Sequence, residues 1–189
     1  MDLPRRFLLK AGLSLPAALC APRLGAAPPN ATPACGDETP PQTAGPFYTP
    51  DTPAKRDFRA DDPSGTPLDL HAVVLDAQCR PIAGAVVDLW HANSQGRYDN
   101  EGFRLRGHQA ADAQGAVTFN TVQPANYGWR TRHFHVRIFR PGGGRLLTTQ
   151  LYFPGEASNA DDGLFKPGLL LSLTPGKVLQ ARFAFVVET

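Results

Sequence analysis

Short runs of β-branched and aromatic residues, each bounded by turn-forming residues, recur along the chain from residue 68 to its end. In the last run, the apolar residues Ala181, Phe183, Phe185 and Val187 alternate with other side chains. Alternation with a period of two is typical of a β-strand with one buried face. The segments that fit this pattern predict six strands, at residues 68–76, 85–90, 116–122, 134–139, 146–153 and 178–187.

The number and spacing of these strands predict an all-β fold, an antiparallel β-sandwich with long active-site loops. The 18 glycines and 19 prolines among 189 residues suit a chain with many tight turns. Two loop-rich stretches, residues 92–114 and 154–167, interrupt the strands, and long loops on a rigid sandwich are where chemistry usually lies. We expect one domain, residues 67–189, preceded by an extended N-terminal arm at residues 28–66.

The first 27 residues have the features of a twin-arginine export signal. Arg5 and Arg6 precede a moderately apolar stretch that ends in small residues at 25–27 and is too short to span a bilayer. We therefore expect an exported protein, periplasmic or extracellular, without stable membrane insertion. Removing residues 1–27 takes away four of the 19 basic and one of the 17 acidic residues, which leaves a net charge of −1. That balance argues against a nucleic-acid partner and says nothing of oligomeric state.

Two cysteines, Cys35 and Cys79, follow the signal segment. In an oxidising compartment they are expected to form one disulfide bond, with metal-ligating thiolates as the alternative. A third cysteine, Cys20, raises the alternative of a lipoprotein signal, which the bulky Leu19 before it disfavours.

The segment His133-Phe134-His135 lies at the start of a predicted strand. Because residues two apart in a strand point to the same side, both imidazoles can reach one metal ion, although such a pair is also common without a metal. Tyr127 precedes His133 by six residues, and Tyr98 lies in a turn-like segment. Two tyrosinates with two imidazoles would favour ferric iron; the alternative is that each tyrosine makes a single hydrogen bond in a turn.

Several ordered blocks between about residues 43 and 153 resemble the intradiol ring-cleavage dioxygenases. Residues 43–48 resemble the family's TxGPxY segment, and residues 79–98 resemble its RPIxGAxVxxWH…GxY block. Residues 106–119 are similar to its RGxQ…DxxGxxxF stretch. The residues that match its PxxY…R…HxH signature are Pro124, Tyr127, Arg130, His133 and His135.

The resemblance implies a ferric iron cofactor, Fe(3+), and a reaction in which a small aromatic diol and O2 give a muconate-type diacid. The ring would open between its two hydroxyl-bearing carbons. By resemblance, the metal ligands are Tyr98, Tyr127, His133 and His135. Tyr98 would stay bound, whereas Tyr127 would leave when the substrate arrives and would also be catalytic. Arg130 would stabilise negative charge on the substrate, and Gln150 would line the same pocket as a further catalytic residue.

The chain departs from the family pattern at Tyr127-Gly128-Trp129-Arg130, where Tyr-Pro-Gly-Arg is common, and this leaves the size and charge of the pocket open. Two other interpretations remain: an exported β-sandwich binding module without catalysis, and a copper or zinc site on the same histidine pair. The full set of four ligand-type residues argues against the first, and two tyrosinates suit ferric iron better than either other metal. For Gln150, the alternative is an ordinary glutamine on a sheet surface.

Overall fold

The computed structural model of the chain describes Met1 and residues 37–189. The predicted export signal, apart from Met1, and Cys35 lie outside these residues. Within the described part of the chain, the only helical elements are three short 3-10 turns, at Arg59–Asp61, Ala157–Ala160 and Pro167–Leu169. No helix there is long and apolar enough to cross a membrane.

In the part of the chain that is described, eight strands form two four-stranded sheets. The strands are β1 (Pro67–Asp76), β2 (Val86–Trp90), β3 (Arg106–Ala110), β4 (Ala116–Val122), β5 (His133–Phe139), β6 (Arg145–Tyr152), β7 (Ser172–Thr174) and β8 (Leu179–Val187). One sheet has the order β4-β1-β8-β7 and the other the order β3-β2-β5-β6. The prediction of an all-β sandwich is therefore confirmed.

Two features of the sheets differ from the sequence-based expectation. The pairing of β1 with β8 is parallel, whereas the other pairings between named strands are antiparallel. The strand β3 falls within a stretch expected to be loop, and β7 lies where no strand was predicted. Both lie at the edge of a sheet, where a strand has one partner and needs no alternating apolar residues. In β3 the residues are Arg-Gly-His-Gln-Ala, so hydrophobic alternation cannot reveal this strand.

The core lies between the two sheets and is built by the alternation seen in the sequence. In β8, Ala181, Phe183 and Phe185 are buried. In β5, Phe134, Val136 and Ile138 are fully buried in the same core. His133 and His135 alternate with these residues and therefore point from the opposite face of the β3-β2-β5-β6 sheet.

Residues 42–52 of the N-terminal arm cover that histidine-bearing face. Gln150 on β6 lies directly opposite His135 in the sheet, and its side-chain amide donates to the Thr43 carbonyl over 2.9 Å. Thr52 donates to the buried Asp88 on β2 over 2.8 Å, and the Tyr48 hydroxyl donates to the same carboxylate over 3.2 Å. The arm thus forms one wall of any site built on His133 and His135.

Cys79 lies in the turn after β1 and takes part in a disulfide bond. Its pairing with Cys35 stays a prediction, because Cys35 lies outside the described residues.

A thiol titration of the unfolded, unreduced chain from residue 28 onward should find no free thiol. Closing a loop of about 44 residues should raise the free energy of unfolding by roughly 3–4 kcal/mol. Two titratable thiols would contradict the pairing, and the Cys35→Ser/Cys79→Ser protein measures the loss of stability.

Candidate active site

Three candidate ligand atoms meet at one point beside β5. The Nε2 atoms of His133 and His135 lie 3.1 Å apart. The phenolic oxygen of Tyr98 lies 3.3 Å from Nε2 of His133 and 3.1 Å from Nε2 of His135. Residues separated by up to 37 positions thus form a triangle of donor atoms on the outer face of the sheet.

Hydrogen bonding fixes which nitrogen of His133 faces this triangle. Nδ1 of His133 donates to the Thr131 carbonyl over 2.6 Å, so in the neutral ring Nε2 is unprotonated and presents its lone pair to the other two groups. His135 stacks on the Trp90 indole, with 4.9 Å between the ring centroids. Its Nδ1 is buried without a hydrogen-bond partner among the described residues. Both imidazoles are held in place, with their Nε2 atoms directed at Tyr98.

The loop that carries Tyr98 is held against the loop that carries Tyr127. Gly96 has φ +74°, and a Cβ at this position would lie 2.1 Å from the Asn126 carbonyl oxygen, so only glycine allows this approach. Ala125 donates its backbone N–H to the Asn93 carbonyl over 3.1 Å. The rings of Tyr98 and Tyr127 therefore lie 5.5 Å apart in an edge-to-face arrangement.

The two tyrosines differ in burial. Tyr98 stacks on Phe47 of the arm, with 4.5 Å between the centroids, and its hydroxyl contacts both histidines. Tyr127 meets the edge of Phe47 and is 38% exposed. Its hydroxyl has no hydrogen-bond partner within the described part of the chain. Tyr98 is thus the fixed member of the pair and Tyr127 the accessible one.

Burial keeps all three atoms of the triangle uncharged in the metal-free protein. Desolvation lowers the pKa of His133 to about 4, and it lowers the pKa of His135 well below its ordinary value. The same effect raises the pKa of Tyr98, against the opposing influence of Arg130 and Arg106. At neutral pH the histidines are therefore in the form that ligates a metal, and Tyr98 must release its proton to become an anionic ligand.

Arg130 lines the cavity that lies above the triangle of donor atoms. Hydrogen bonds from neighbouring side chains hold its guanidinium. Its Nε lies 2.9 Å from both carboxylate oxygens of Asp162, whose side chain is fully buried. Its Nη2 donates to Gln150 over 2.5 Å and to the Tyr152 hydroxyl over 3.2 Å. Nη1 is the guanidinium nitrogen without a partner among the residues described. The protein thus holds the guanidinium by two nitrogens and leaves the third for a ligand.

Gln150, predicted to line the same pocket, lies beside Arg130, and its catalytic role stays a prediction. The residue is fully buried between the arm and Arg130, and it is not among the residues that line the cavity. A side chain that bonds the Thr43 carbonyl and the Arg130 guanidinium orients that arginine. We therefore describe Gln150 as a positioning residue for Arg130.

Two functional residues were not identified from the sequence. Arg106 is buried and donates to the backbone carbonyls of Phe47 and Asp99, which ties the wall residue Phe47 to the residue beside Tyr98. It belongs to a motif noted in the sequence, but the motif indicates no contact. Asp162 receives Arg130 and the Thr131 amide, and it lies in an Asp-Asp-Gly segment that looks like an ordinary turn.

The triangle suits a cation. A single proton can bridge only two of its three atoms, whereas a metal ion can accept lone pairs from all three. Two neutral imidazoles and a phenolate, with a second phenol on the cavity wall, form a hard and electron-rich donor set. Among the described residues there is no group of three or more His, Cys, Asp or Glu side chains that could hold a metal.

The cavity above the triangle has a volume of about 320 Å³. Its floor consists of His133, His135 and Tyr98, and its walls include Phe47 and Arg130. The four ligand-type residues predicted from the sequence thus line one cavity, together with the predicted arginine; Tyr127 is the fourth of them. Such a space holds one small aromatic ring.

Comparison with known proteins places this geometry in a family. Residues 43–177 match the family model Dioxygenase_C, described as a dioxygenase. The chain is 31% identical over 122 residues to the protocatechuate 3,4-dioxygenase beta chain of Burkholderia cepacia, a match that covers 56% of this chain and 52% of that protein. It is 33% identical over 153 residues to catechol 1,2-dioxygenase 1 of Acinetobacter lwoffii, covering 66% and 49%. The chain spans about half the length of these curated relatives.

Solved structures agree. The dioxygenase domain of a dioxygenase carbohydrate-binding protein fusion from Streptomyces sp. SirexAA-E superposes with a TM-score of 0.77 and 41% identity, over 81% of this chain and 99% of that one. The 3-chlorocatechol 1,2-dioxygenase from Rhodococcus opacus 1CP superposes with a TM-score of 0.72 and 27% identity, over 80% and 73%. From the family match, the relatives and the shared fold, the chain belongs to the intradiol ring-cleavage dioxygenases.

Proposed function

We propose that this protein is an exported non-haem ferric enzyme that inserts both atoms of O2 between the two hydroxyl-bearing carbons of a catechol-type ring. The observation that carries the proposal is the triangle of Tyr98, His133 and His135 at the floor of a ring-sized cavity, with Tyr127 on its wall. The reaction consumes one O2 per ring and gives a muconate-type diacid that contains all four oxygen atoms, so no external reductant is needed.

Tyr98, His133, His135 and Tyr127 would hold the iron. Ferric iron bound there would supply the Lewis acidity that draws electron density from a chelating diol and opens its ring to O2. The protein contributes by orienting the ligands. Trp90 and the Thr131 carbonyl hold the histidines, and Phe47 holds Tyr98. Ligands oriented in this way need little reorganisation during turnover.

Tyr127 would take a proton from the substrate. A diol that binds as a dianion must lose two hydroxyl protons, and a phenolate released beside it is a base within reach. Tyr127 is half-exposed, and its hydroxyl makes no hydrogen bond to any residue that the structure describes. Its ring can therefore rotate away without breaking a hydrogen bond. Tyr98, stacked and buried, is the tyrosine that stays.

Arg130 supplies fixed positive charge. Asp162, Gln150 and Tyr152 hold its guanidinium at the cavity wall, so the unengaged nitrogen is already oriented when negative charge develops on the ring. Preorganised charge of this kind, in a site from which water is excluded, often makes the largest contribution to catalysis.

A non-catalytic binding module is the weaker alternative. Binding alone would need neither the buried pair of histidines nor a phenol between them, since each of these groups costs free energy to bury without a cation. Zinc or copper on the histidine pair would leave the role of two tyrosines unexplained.

Oxygen uptake tests the proposal. Protein reconstituted with ferric iron should consume O2 on addition of at least one member of a panel of catechols, hydroxyquinols and larger plant-derived diols, in a ratio of one O2 per ring. With ¹⁸O2, both labelled atoms should appear in the diacid. The His133→Ala protein, treated in the same way, is the control. No uptake with any diol, or retention of zinc alone after exposure to both metals, would refute the assignment.

A further inference from the structure

The cavity is small for anything beyond a single ring. Its volume of about 320 Å³ is at the lower end of small-molecule sites, and Phe47, Arg130 and the histidines close its floor and sides. A diol chelated at the floor therefore fills the enclosed space. Any substituent that points away from the floor must pass over the rim.

That rim is where exposed apolar side chains concentrate. Apart from the chain terminus Met1, four large hydrophobic residues are exposed among those described: Phe103, Tyr127, Trp129 and Leu164. Three of the four line this one cavity, and Trp129 is 66% exposed. Single exposed apolar residues are ordinary, but a cluster of them around a cavity marks a binding surface.

A tight turn places Trp129 at the rim. The backbones of Tyr127 and Arg130 are paired, with N–H to carbonyl distances of 3.1 and 2.8 Å, and Gly128 takes the positive φ of 56° that such a turn requires. Tyr127 and Arg130 line the cavity from the base of this turn, whereas Trp129 stands at its tip. The Trp129 ring lies 5.5 Å from the Arg130 guanidinium carbon.

Leu164 faces the cavity from another loop whose backbone is also fixed. Its N–H donates to Asp162 over 3.0 Å, and its carbonyl accepts the Tyr152 hydroxyl over 3.0 Å. The rim is therefore a fixed apolar edge, and binding there need not order a loose loop.

The charges beside the rim are paired within the protein. Of the residues that the structure describes, Arg130 is the only charged one that lines the cavity, and it is bound to Asp162. Arg132, two residues further along, pairs with Glu156 at 3.3 Å. A carboxylate carried over the rim would be desolvated against Trp129 and Leu164, whereas an uncharged ring would bury apolar surface against Trp129.

We propose that Trp129 and Leu164 bind an uncharged, apolar substituent of the substrate, so that the enzyme prefers catechols carrying an aryl or similar group over catechol itself and over carboxylated catechols. Trp129 is the specificity-determining residue. The inference rests on the proposed function and names the class of diol within it.

The test compares kcat/KM for 4-phenylcatechol, catechol and 3,4-dihydroxybenzoate in the wild type, Trp129→Ala, Trp129→Phe and Phe103→Ala proteins. Phe103 is the matched control, because it is an exposed aromatic residue that does not line the cavity. The wild type should prefer 4-phenylcatechol. Trp129→Ala should reduce that preference over catechol by about tenfold, mainly through KM, since a stacking contact supplies roughly this factor. Trp129→Phe should restore part of it, and Phe103→Ala should leave it unchanged.

A second readout does not depend on turnover. Anaerobic titration with 4-phenylcatechol should quench tryptophan fluorescence in the wild type and Phe103→Ala proteins and much less in Trp129→Phe, which retains the buried Trp90. Equal loss for all substrates in Trp129→Ala, or a wild-type preference for catechol or the carboxylated diol, overturns the inference and leaves the proposed function standing. Absence of ring cleavage with every diol overturns both.

Discussion

The Arg130→Ala protein is expected to retain its iron and its colour while it turns over catechol on the order of 10²–10³-fold more slowly. Arg130 lines the cavity without belonging to the triangle of donor atoms, so its removal takes away no ligand. The loss is that of a charge-assisted contact to the anionic substrate, worth about 2–4 kcal/mol in a site with little water. Anaerobic addition of catechol, followed by O2, measures binding and turnover separately. An intact coloured complex that decays slowly is the expected result.

This substitution also leaves the buried Asp162 carboxylate without its partner, and breaking a buried pair in this way costs about 3–5 kcal/mol of stability. The Arg130→Ala/Asp162→Asn protein removes both charges and separates a folding defect from a catalytic one. Arg182→Ala, on the exposed surface of β8, controls for the loss of one positive charge. Turnover at the wild-type rate in the double variant, or loss of iron from it, would show that Arg130 has another role.

The sequence predicts the elements of the fold whose hydrophobic pattern is set by the core. In β1 and β8 every second side chain is buried, and these strands were identified to within one residue at each end. The edge strand β3 was not identified, because it is stabilised by pairing with β2 and not by the burial of its own side chains. The parallel pairing of β1 with β8 is equally hidden, since alternation does not report strand direction.

Some parts of the site can be predicted from local spacing in the sequence, whereas others depend on tertiary contacts. The pair His133 and His135 follows from strand periodicity alone. Their meeting with Tyr98 depends on how closely two loops approach at Gly96, which no sequence period encodes. Asp162 and Gln150 act through Arg130, from 32 and 20 positions away, and only the folded chain shows that they hold it from behind. The family resemblance identifies the ligand-type residues, and the structure shows which neighbouring side chains hold each of them in place.

The difference in burial and contacts between Tyr98 and Tyr127 predicts that substituting them affects iron binding differently. The Tyr98→Phe protein should lose ferric iron, because the lost oxygen is the one in contact with both histidine Nε2 atoms, a contact that the Tyr127 hydroxyl does not make. Loss of an outer partner of a ligand already costs about 10–100-fold in metal affinity, and loss of the ligand itself should exceed that. Tyr127→Phe should instead retain the iron on Tyr98, His133 and His135, keep a visible tyrosinate-to-iron band, and slow the step that removes a proton from the catechol.

Iron per chain and the visible spectrum, measured after ferric reconstitution and desalting, distinguish the two tyrosines without reference to turnover. Tyr48→Phe is the matched control, because Tyr48 is a tyrosine of the arm that bonds Asp88 and does not line this cavity. It should match the wild type in iron and colour. If Tyr98→Phe holds iron with an unchanged band, or if Tyr127→Phe is the colourless one, then the buried tyrosine is not the permanent ligand and the roles of the two residues are reversed. Equal loss of iron from both variants would mean that the accessible tyrosine is as necessary to the metal as the buried one, which the difference in their burial and contacts argues against.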